Sequence, residues 1–313
     1  MRTGLRRLAP ILALALAGAA LAQAESLRFF AMGDAPYSEG ELLQLEGLLG
    51  DVGEARPDFI IHVGDIKSGR SVCTDAYAAR IAGLFRGVPV PVAYTPGDNE
   101  WTDCWRAGGD PRARLAALRR DFYGDPAVLR LGELGAVHPD PAYPENYYFL
   151  RGGAMFAALH VVGSNNGLRR KDATTVTEWR GRSAANRALI ERAVEAAGAR
   201  GARAFILFFQ ADPLFEEPGK DRGLDPLRRD LAWLVKSFDG PILVIHGDNH
   251  RYILDRPLLD PQTGEAVSRL TRLEVPGSPV VSGIWVTYDP TAEEPFRFER
   301  PQVDLNSEPP SLR

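Results

Sequence analysis

The chain has 313 residues, 45% of them apolar and 25% charged, which suits one large α/β domain or two small ones and excludes a disordered or fibrous chain. Its formal net charge is −4, and loss of the first 24 residues, with three Arg and no acid, would move it to −7. That balance argues against a nucleic-acid partner, whose binding rests on Lys and Arg neutralising phosphates.

The N-terminus reads as a secretory signal. Arg2, Arg6 and Arg7 precede the apolar run Ile11 to Leu21, and Ala22-Gln23-Ala24 has the small-x-small form of a cleavage site. The run is too short to span a bilayer comfortably. Residues 1–24 are therefore expected to be cleaved, leaving a domain over 25–300 and a flexible polar tail over 301–313. An uncleaved membrane anchor is the alternative. No other segment could cross a membrane, so the mature chain is expected to be secreted or periplasmic, free of the membrane.

Three early apolar runs each end in Gly-Asp: Phe29 to Asp34, Phe59 to Asp65 and Val92 to Asp98. Unbroken runs of this length read as strands buried on both faces. Between the first two, Ser38-Glu39-Gly40-Glu41 forms a capping box, and Leu42, Leu45 and Leu49 recur at helical spacing. Thr74 is the expected cap of a second helix carrying Tyr77, Ile81, Leu84 and Phe85. Pro91 and Pro96 make the third strand short or place it toward an edge. Asp110-Pro111 starts a helix with Leu115, Leu118 and Phe122 inward. Gly124 to Glu145 reads as a long loop, either plain surface or a lid.

Tyr147 to Leu150 and Met155 to Val162 predict a hairpin across Gly152-Gly153. A helix is expected from about Ser183 to Ala197, then a buried strand Phe205 to Phe209 ending at Gln210. Asp225-Pro226 opens a further helix. A fourth apolar run, Ile242 to His246, ends in Gly247-Asp248. Strands are expected at Leu270 to Val275, Ile284 to Tyr288 and Phe296 to Phe298.

Gly-Asp occurs seven times, but the pairs at Gly50, Gly109 and Gly124 follow no apolar run. The other four all do. Glycine lets the chain turn as it leaves a sheet, and the Asp then enters the crevice beyond the strand ends, where open α/β sheets bind ligands. Four carboxylates gathered there repel one another, so they either hold protons or share a cation. Cys73 follows Asp65 by eight residues and Cys104 follows Asp98 by six. If those strands are neighbours, the two loops can be bridged by a disulfide; two unrelated buried thiols are the alternative.

The order of these elements and motifs resembles the calcineurin-like metallophosphoesterases over nearly the whole mature chain. In that family the motifs run D-x-H, G-D, G-N-H-[DE], a strand-end His, and G-H-x-H. Here Asp34, Asp65, Glu100 and His250 match. Pro36, Asp98, Asn99, Gln210 and Asp248 stand where the family has His, Asn, His, His and His. The resemblance implies a four-layer αββα sandwich of two mixed β-sheets flanked by helices. It implies a metal-dependent phosphoester hydrolase, with Asp34, Asp65, Asp98, Gln210, Asp248 and His250 on two divalent cations, and Asn99 and Glu100 in catalytic positions. A set rich in oxygen favours Mn²⁺ or Mg²⁺, with Ca²⁺ possible, over Zn²⁺ or iron. The expected substrate is a small phosphodiester or activated phosphomonoester, because Asn99 cannot protonate a leaving group. Asn165, Lys67 and Arg70 are the candidate substrate contacts. The rival reading is a catalytically degenerate member that binds a metal, an anion or a partner, and a third is a Ca²⁺-stabilised structural domain. His62, His160 and His246 are expected as core histidines.

Overall fold

The computed structural model describes residues 26–301, apart from 218 and 261. The expected signal peptide and all but the first residue of the expected tail lie outside the described residues. The strands, in chain order, are β1 (Leu27–Met32), β2 (Phe59–His62), β3 (Val92–Tyr94), β4 (Tyr147–Arg151), β5 (Ala154–Ala158) and β6 (Ala204–Phe208). β7 (Ile242–His246), β8 (Ile253–Asp255), β9 (Leu270–Glu274), β10 (Gly283–Tyr288) and β11 (Phe296–Glu299) follow. They form two mixed sheets, ordered β11-β10-β1-β2-β3 and β4-β5-β6-β7-β9-β8. The architecture is the expected α/β sandwich of two sheets flanked by helices.

Alternation along the second sheet assigns its two faces. Phe156, Ala158, Ile206, Phe208, Leu243 and Ile245 join the core shared with β1 and β2. Their sequence neighbours Met155, Ala157, Phe205, Leu207, Ile242 and Val244 pack with the helices Ala173–Arg200 and Asp225–Ser237. Between the sheets the ring of Phe29 meets Phe156 edge-on at 5.6 Å, and Phe59 meets Phe149 at 5.4 Å. Leu42, Leu45 and Leu49 of α1 (Glu39–Glu54) and Ile81 and Phe85 of α2 (Asp75–Gly87) complete the first sheet's side of this core. Ser38 caps α1, its Oγ accepting from Glu41 N–H at 3.2 Å.

Several expectations need correcting. The helix expected to begin at Ser183 begins at Ala173, because Asp172 caps it by accepting from Thr174 and Thr175 N–H. Asp225 lies inside the first turn of its helix; the residue at the cap is Leu224, which makes no side-chain cap bond. Gly124 to Glu145 is neither lid nor bare loop. Val128, Leu129, Leu131 and Leu134 are buried there in two short helical turns whose apolar spacing is too irregular to show a period. β3 is short and lies at a sheet edge, as its prolines require. Cys73 and Cys104 are bridged, with Cα atoms 5.7 Å apart.

Candidate functional site

β1, β2 and β3 run parallel and in step, with Met32 beside His62 and His62 beside Tyr94. Asp34, Asp65 and Asp98 therefore leave one edge of the first sheet together. In the second sheet Phe208 pairs with Ile245, so Gln210 and Asp248 leave side by side. The two edges meet. The N–H of Asp248 donates to both oxygens of Asp34 at 3.1 Å. Gln210 Nε2 donates to Asp65 Oδ2 at 3.2 Å and Asp248 Oδ1 at 3.3 Å. Ser164 Oγ donates to Asp98 Oδ2 at 2.5 Å. A Cβ placed on Gly163 would lie 2.4 Å from Asp248 Oδ1 and 3.0 Å from Asp98 Oδ1. All four strand-end aspartates thus gather in one pocket, Asp34, Asp65 and Asp98 buried and Asp248 half-buried beside exposed Asn249.

The glycines serve differently from the expectation. Of the four, only Gly64 has a positive φ, at 98°. The left-handed strain sits on Asp34, Asp65, Asp248 and His250, at φ 50°, 55°, 84° and 61°. Such backbone costs about 1–3 kcal/mol per residue and clusters at functional sites. Gly97 and Gly247 are needed for proximity: a Cβ would lie 2.0 Å from Asp65 Oδ1 at the first and 1.9 Å from Asp34 Oδ2 at the second.

Electrostatics follow from the crowding. Burial, then the charge of Asp248, raises Asp34 well above the carboxylate range. Burial, then Asp98 and Glu100, does the same to Asp65. Asp248 is pushed up to about 7 by burial and then by Asp98. Asp103, near Asp98, is likewise pushed up to about 7. Among the described residues none of the four strand-end aspartates is ion-paired with Lys or Arg; the nearest pair, Arg106 with Asp103 at 2.8 Å, stands one residue outside the set.

Neutral donors occupy much of Asp65. Its Oδ2 accepts from Tyr37 Oη at 3.0 Å and Asn99 Nδ2 at 2.8 Å in addition to Gln210, and its Oδ1 accepts from Asn99 N–H at 3.0 Å. Gln210 therefore differs from its expected role. Its Oε1 accepts from Gly163 N–H at 2.5 Å, so its amide turns N–H rather than oxygen toward the acids. Glu100 also differs: its Oε1 accepts from Gly97 N–H, Tyr94 Oη and Asp65 N–H at 2.7, 2.8 and 3.2 Å, which makes it the brace of the turn. His250 Nδ1–H donates to the Ser278 carbonyl at 2.8 Å, leaving Nε2 as an acceptor 3.1 Å from Tyr37 Oη.

The three candidate substrate contacts lie elsewhere. Lys67 is buried, and its Nζ donates to the carbonyls of Ser68 and Asn99 at 2.5 and 3.0 Å. Arg70 is exposed, with only its backbone N–H bonded, to Ser68 Oγ. Asn165 closes a turn, donating to Leu168 O and accepting from Gly223 N–H, both at 2.8 Å. Its neighbour Ser164 reaches the acids instead, since residues 164–166 all carry φ between 51° and 58° and reverse the expected direction. Tyr37, Ser164, Asp103 and Asp212 are site residues that sequence reasoning missed. Tyr37 stood three residues after Asp34, a visible spacing; Asp212, which donates its N–H to Asp248 Oδ2 at 3.1 Å, had only its nearness to Gln210 as a signal. His62, His160 and His246 are fully buried core histidines, each with Nδ1 bonded.

Among the described residues no group of three or more His, Cys, Asp or Glu side chains is placed so that it could hold a metal ion. By type the donor set still suits a hard divalent cation: its carboxylate oxygens form no ion pair among the described residues, although the buried ammonium of Lys67 attracts Asp65 and Asp98.

No protein-family model matches the chain, and no curated protein matches its sequence. Solved structures do resemble it. A dimetal phosphatase from Danio rerio aligns with a TM-score of 0.53 at 12% identity, over 83% of this chain and 91% of its own. PhoD aligns with a TM-score of 0.55 at 12% identity, over 88% of this chain and 68% of its own. At that identity the likeness is one of fold alone, shared with those two structures.

Proposed function

We propose that this chain is a metal-dependent phosphoester hydrolase, a divergent calcineurin-like member that acts on phosphodiesters or activated phosphomonoesters. The observation that carries the reading is the convergence of Asp34, Asp65, Asp98 and Asp248, none of them ion-paired with Lys or Arg among the described residues, with the pKa values of Asp34, Asp65 and Asp248 raised. Asp34, Asp65, Asp98, Asp248 and His250 Nε2 would hold the metal, two ions of Mn²⁺ or Mg²⁺, with Ca²⁺ also compatible. Bound divalent cations supply positive charge to a phosphoryl oxygen and lower the pKa of water at neutral pH.

The chain's own groups do the rest. Glu100 fixes the turn that aims Asp65 and Asp98. Tyr37 and Asn99 orient Asp65, Asn99 Nδ2 donating to both Asp65 Oδ2 and Tyr37 Oη at 2.8 Å. No imidazole stands at position 99 to deliver a proton, so good leaving groups are favoured. The disulfide accords with an oxidising compartment. We assign the chain to the periplasm or the exterior, with residues 1–24 as cleaved signal and 25–300 as the hydrolase domain.

One observation favours a second reading. Tyr37, Asn99 and Gln210 already satisfy Asp65 with neutral donors, as a degenerate, non-catalytic binding protein would require. Metal content of the purified protein and hydrolysis of bis(4-nitrophenyl) phosphate with added Mn²⁺ or Mg²⁺ separate the two. The hydrolase reading expects turnover that Asp65→Asn abolishes. Bound metal without turnover in any divalent ion establishes the binder.

A further inference from the structure

Beside the carboxylate pocket lies a cleft of about 220 Å³, lined by Trp101, Trp105, Arg106, Arg112 and Arg169, with Ser164 and Asp103 at its inner end. Those last two side chains join the cavities. Ser164 Oγ donates to Asp98 Oδ2 at 2.5 Å and to Asp103 Oδ2 at 3.1 Å, so the cleft begins one side chain from a candidate ligand. Its volume exceeds the roughly 150 Å³ that admits benzene in an engineered cavity. A substituted six-membered ring is the right size for it.

The walls define the chemistry. Trp105 is 49% exposed, a large aromatic face turned to solvent at the cleft. Arg169 covers part of that ring, its guanidinium carbon 5.2 Å from the centroid. Arg106 is paired with Asp103, and Arg169 with Asp172 at 3.2 Å. Arg112 makes no ion pair among the described residues. The cleft is thus aromatic and rich in guanidinium groups, with Glu178, paired to Arg182 at 2.7 Å, also in its lining, and it lies next to the gathered carboxylates on a chain of negative net charge. A ligand satisfying both halves is an anionic ester with a flat apolar group: its phosphoryl end at the carboxylate pocket, its ring on Trp105, its negative charge compensated by the guanidinium groups.

Resting on the hydrolase reading, we propose that this cleft is the subsite for the organic moiety of the substrate, and that the substrate class is phosphoesters of planar aromatic groups. Trp105 is a specificity residue here, stacking the ring; it takes no part in bond cleavage. Stacking on an aromatic side chain supports about a tenfold preference for a ring-bearing ligand.

The test uses phosphonates, which cannot be hydrolysed. Titration calorimetry of the full mature chain in Mn²⁺ compares phenylphosphonate with ethylphosphonate. We expect phenylphosphonate to bind about tenfold tighter, Trp105→Ala to reduce the ratio to about twofold while leaving ethylphosphonate unchanged, and Trp105→Phe to restore most of it. Equal binding of the two probes, failure of phenylphosphonate to bind, or a preference that persists in Trp105→Ala overturns the subsite. Hydrolysis of bis(4-nitrophenyl) phosphate, measured in parallel on wild type and Asp65→Asn, reports on the hydrolase reading alone. A ring preference without turnover sinks that reading and keeps the subsite; turnover without a ring preference does the reverse.

Discussion

Two buried clusters of charge lie within the same sandwich, and they are built on opposite rules. At the strand ends, acids face acids, and burial and repulsion raise the pKa values of Asp34, Asp65 and Asp248. Around Glu145, fully buried as well, acids face bases. His160 Nδ1 lies 2.8 Å from Glu145 Oε1, and Arg119 forms a fork to both oxygens at 2.9 and 2.5 Å. Burial there also pushes the carboxyl up, but the His160 and Arg119 contacts outweigh it and bring Glu145 down to about 2. Arg182, equally buried, pairs with Glu178 at 2.7 Å and donates to the carbonyls of His160 and Asn166. Burial is common to both clusters, so burial cannot mark the functional one. The sign of the neighbours separates them: around Glu145 the acids are paired with bases, whereas the strand-end aspartates form no ion pair among the described residues.

The sharpest way to break this contrast is to neutralise one acid in each cluster. Asp34→Asn removes a repelling charge while keeping an acceptor for Asp248 N–H. Hydrolysis should fall at least 10³-fold, the scale of losing a major electrostatic contributor, while the metal-free protein unfolds at the same or a higher temperature. Glu145→Gln leaves fully buried His160 and half-buried Arg119 beside a neutral amide. It should cost about 4 kcal/mol in stability and leave kcat/KM of the surviving folded enzyme within a few-fold. If Asp34→Asn proves the strongly destabilised variant, the strand-end acids are structural and the contrast is false.

The clusters should also answer pH with opposite sign. In the metal-free folded chain Asp248 titrates at about 7 against an ordinary 3.8. Between those values the folded state holds a proton the unfolded state has lost, so stability falls as pH rises. Glu145 sits at about 2 against 4.5. Its contribution is complete above the unfolded value and is lost as pH falls toward 2. Denaturation in EDTA should therefore show greatest stability near pH 4 to 5 and a decline of roughly 3 kcal/mol toward pH 7 from Asp248 alone. Saturating Mn²⁺ should remove the decline. A profile in EDTA that is flat over this range contradicts the crowding.

How much of this was legible beforehand depends on distance in the chain. Apolar runs ending in Gly-Asp marked the strands and their carboxyl ends, and parallel strands in step carry such ends to one edge, so Asp34, Asp65, Asp98 and Asp248 could be read as a set. The loop geometry between strands could not. Ser164 rather than Asn165 meets Asp98 because three successive residues adopt left-handed backbone, for which no glycine gave notice. Lys67 looked like a phosphate contact by its nearness to Asp65, but its Nζ donates to the carbonyl of Ser68 in its own loop and to that of Asn99 in the neighbouring one. Gln210 looked like an oxygen ligand by its side chain, and the single N–H of Gly163 decides which end of its amide faces the acids. Tertiary hydrogen bonds between residues far apart in sequence settled each case, and no local pattern records them.

The disulfide connects the two kinds of region and permits the smallest of these tests. Its sulfurs lie 3.7 and 3.9 Å from the Asn99 carbonyl, the acceptor that Lys67 Nζ also reaches at 3.0 Å. Asn99 is thus held from behind while its side chain orients Asp65. The bridge spans 31 residues, so replacing both cysteines by serine should cost about 3 kcal/mol, chiefly by freeing the unfolded chain. For a domain of this size that is roughly 8 °C in melting temperature. Because Lys67 still holds the same carbonyl, hydrolysis at a temperature where the variant is folded should drop less than tenfold. A loss as deep as that of Asp34→Asn, with the fold intact by circular dichroism, would move the bridge from the self-sufficient framework into the working pocket. It would mean that the position of Asn99, rather than the charge of the aspartates alone, limits the reaction.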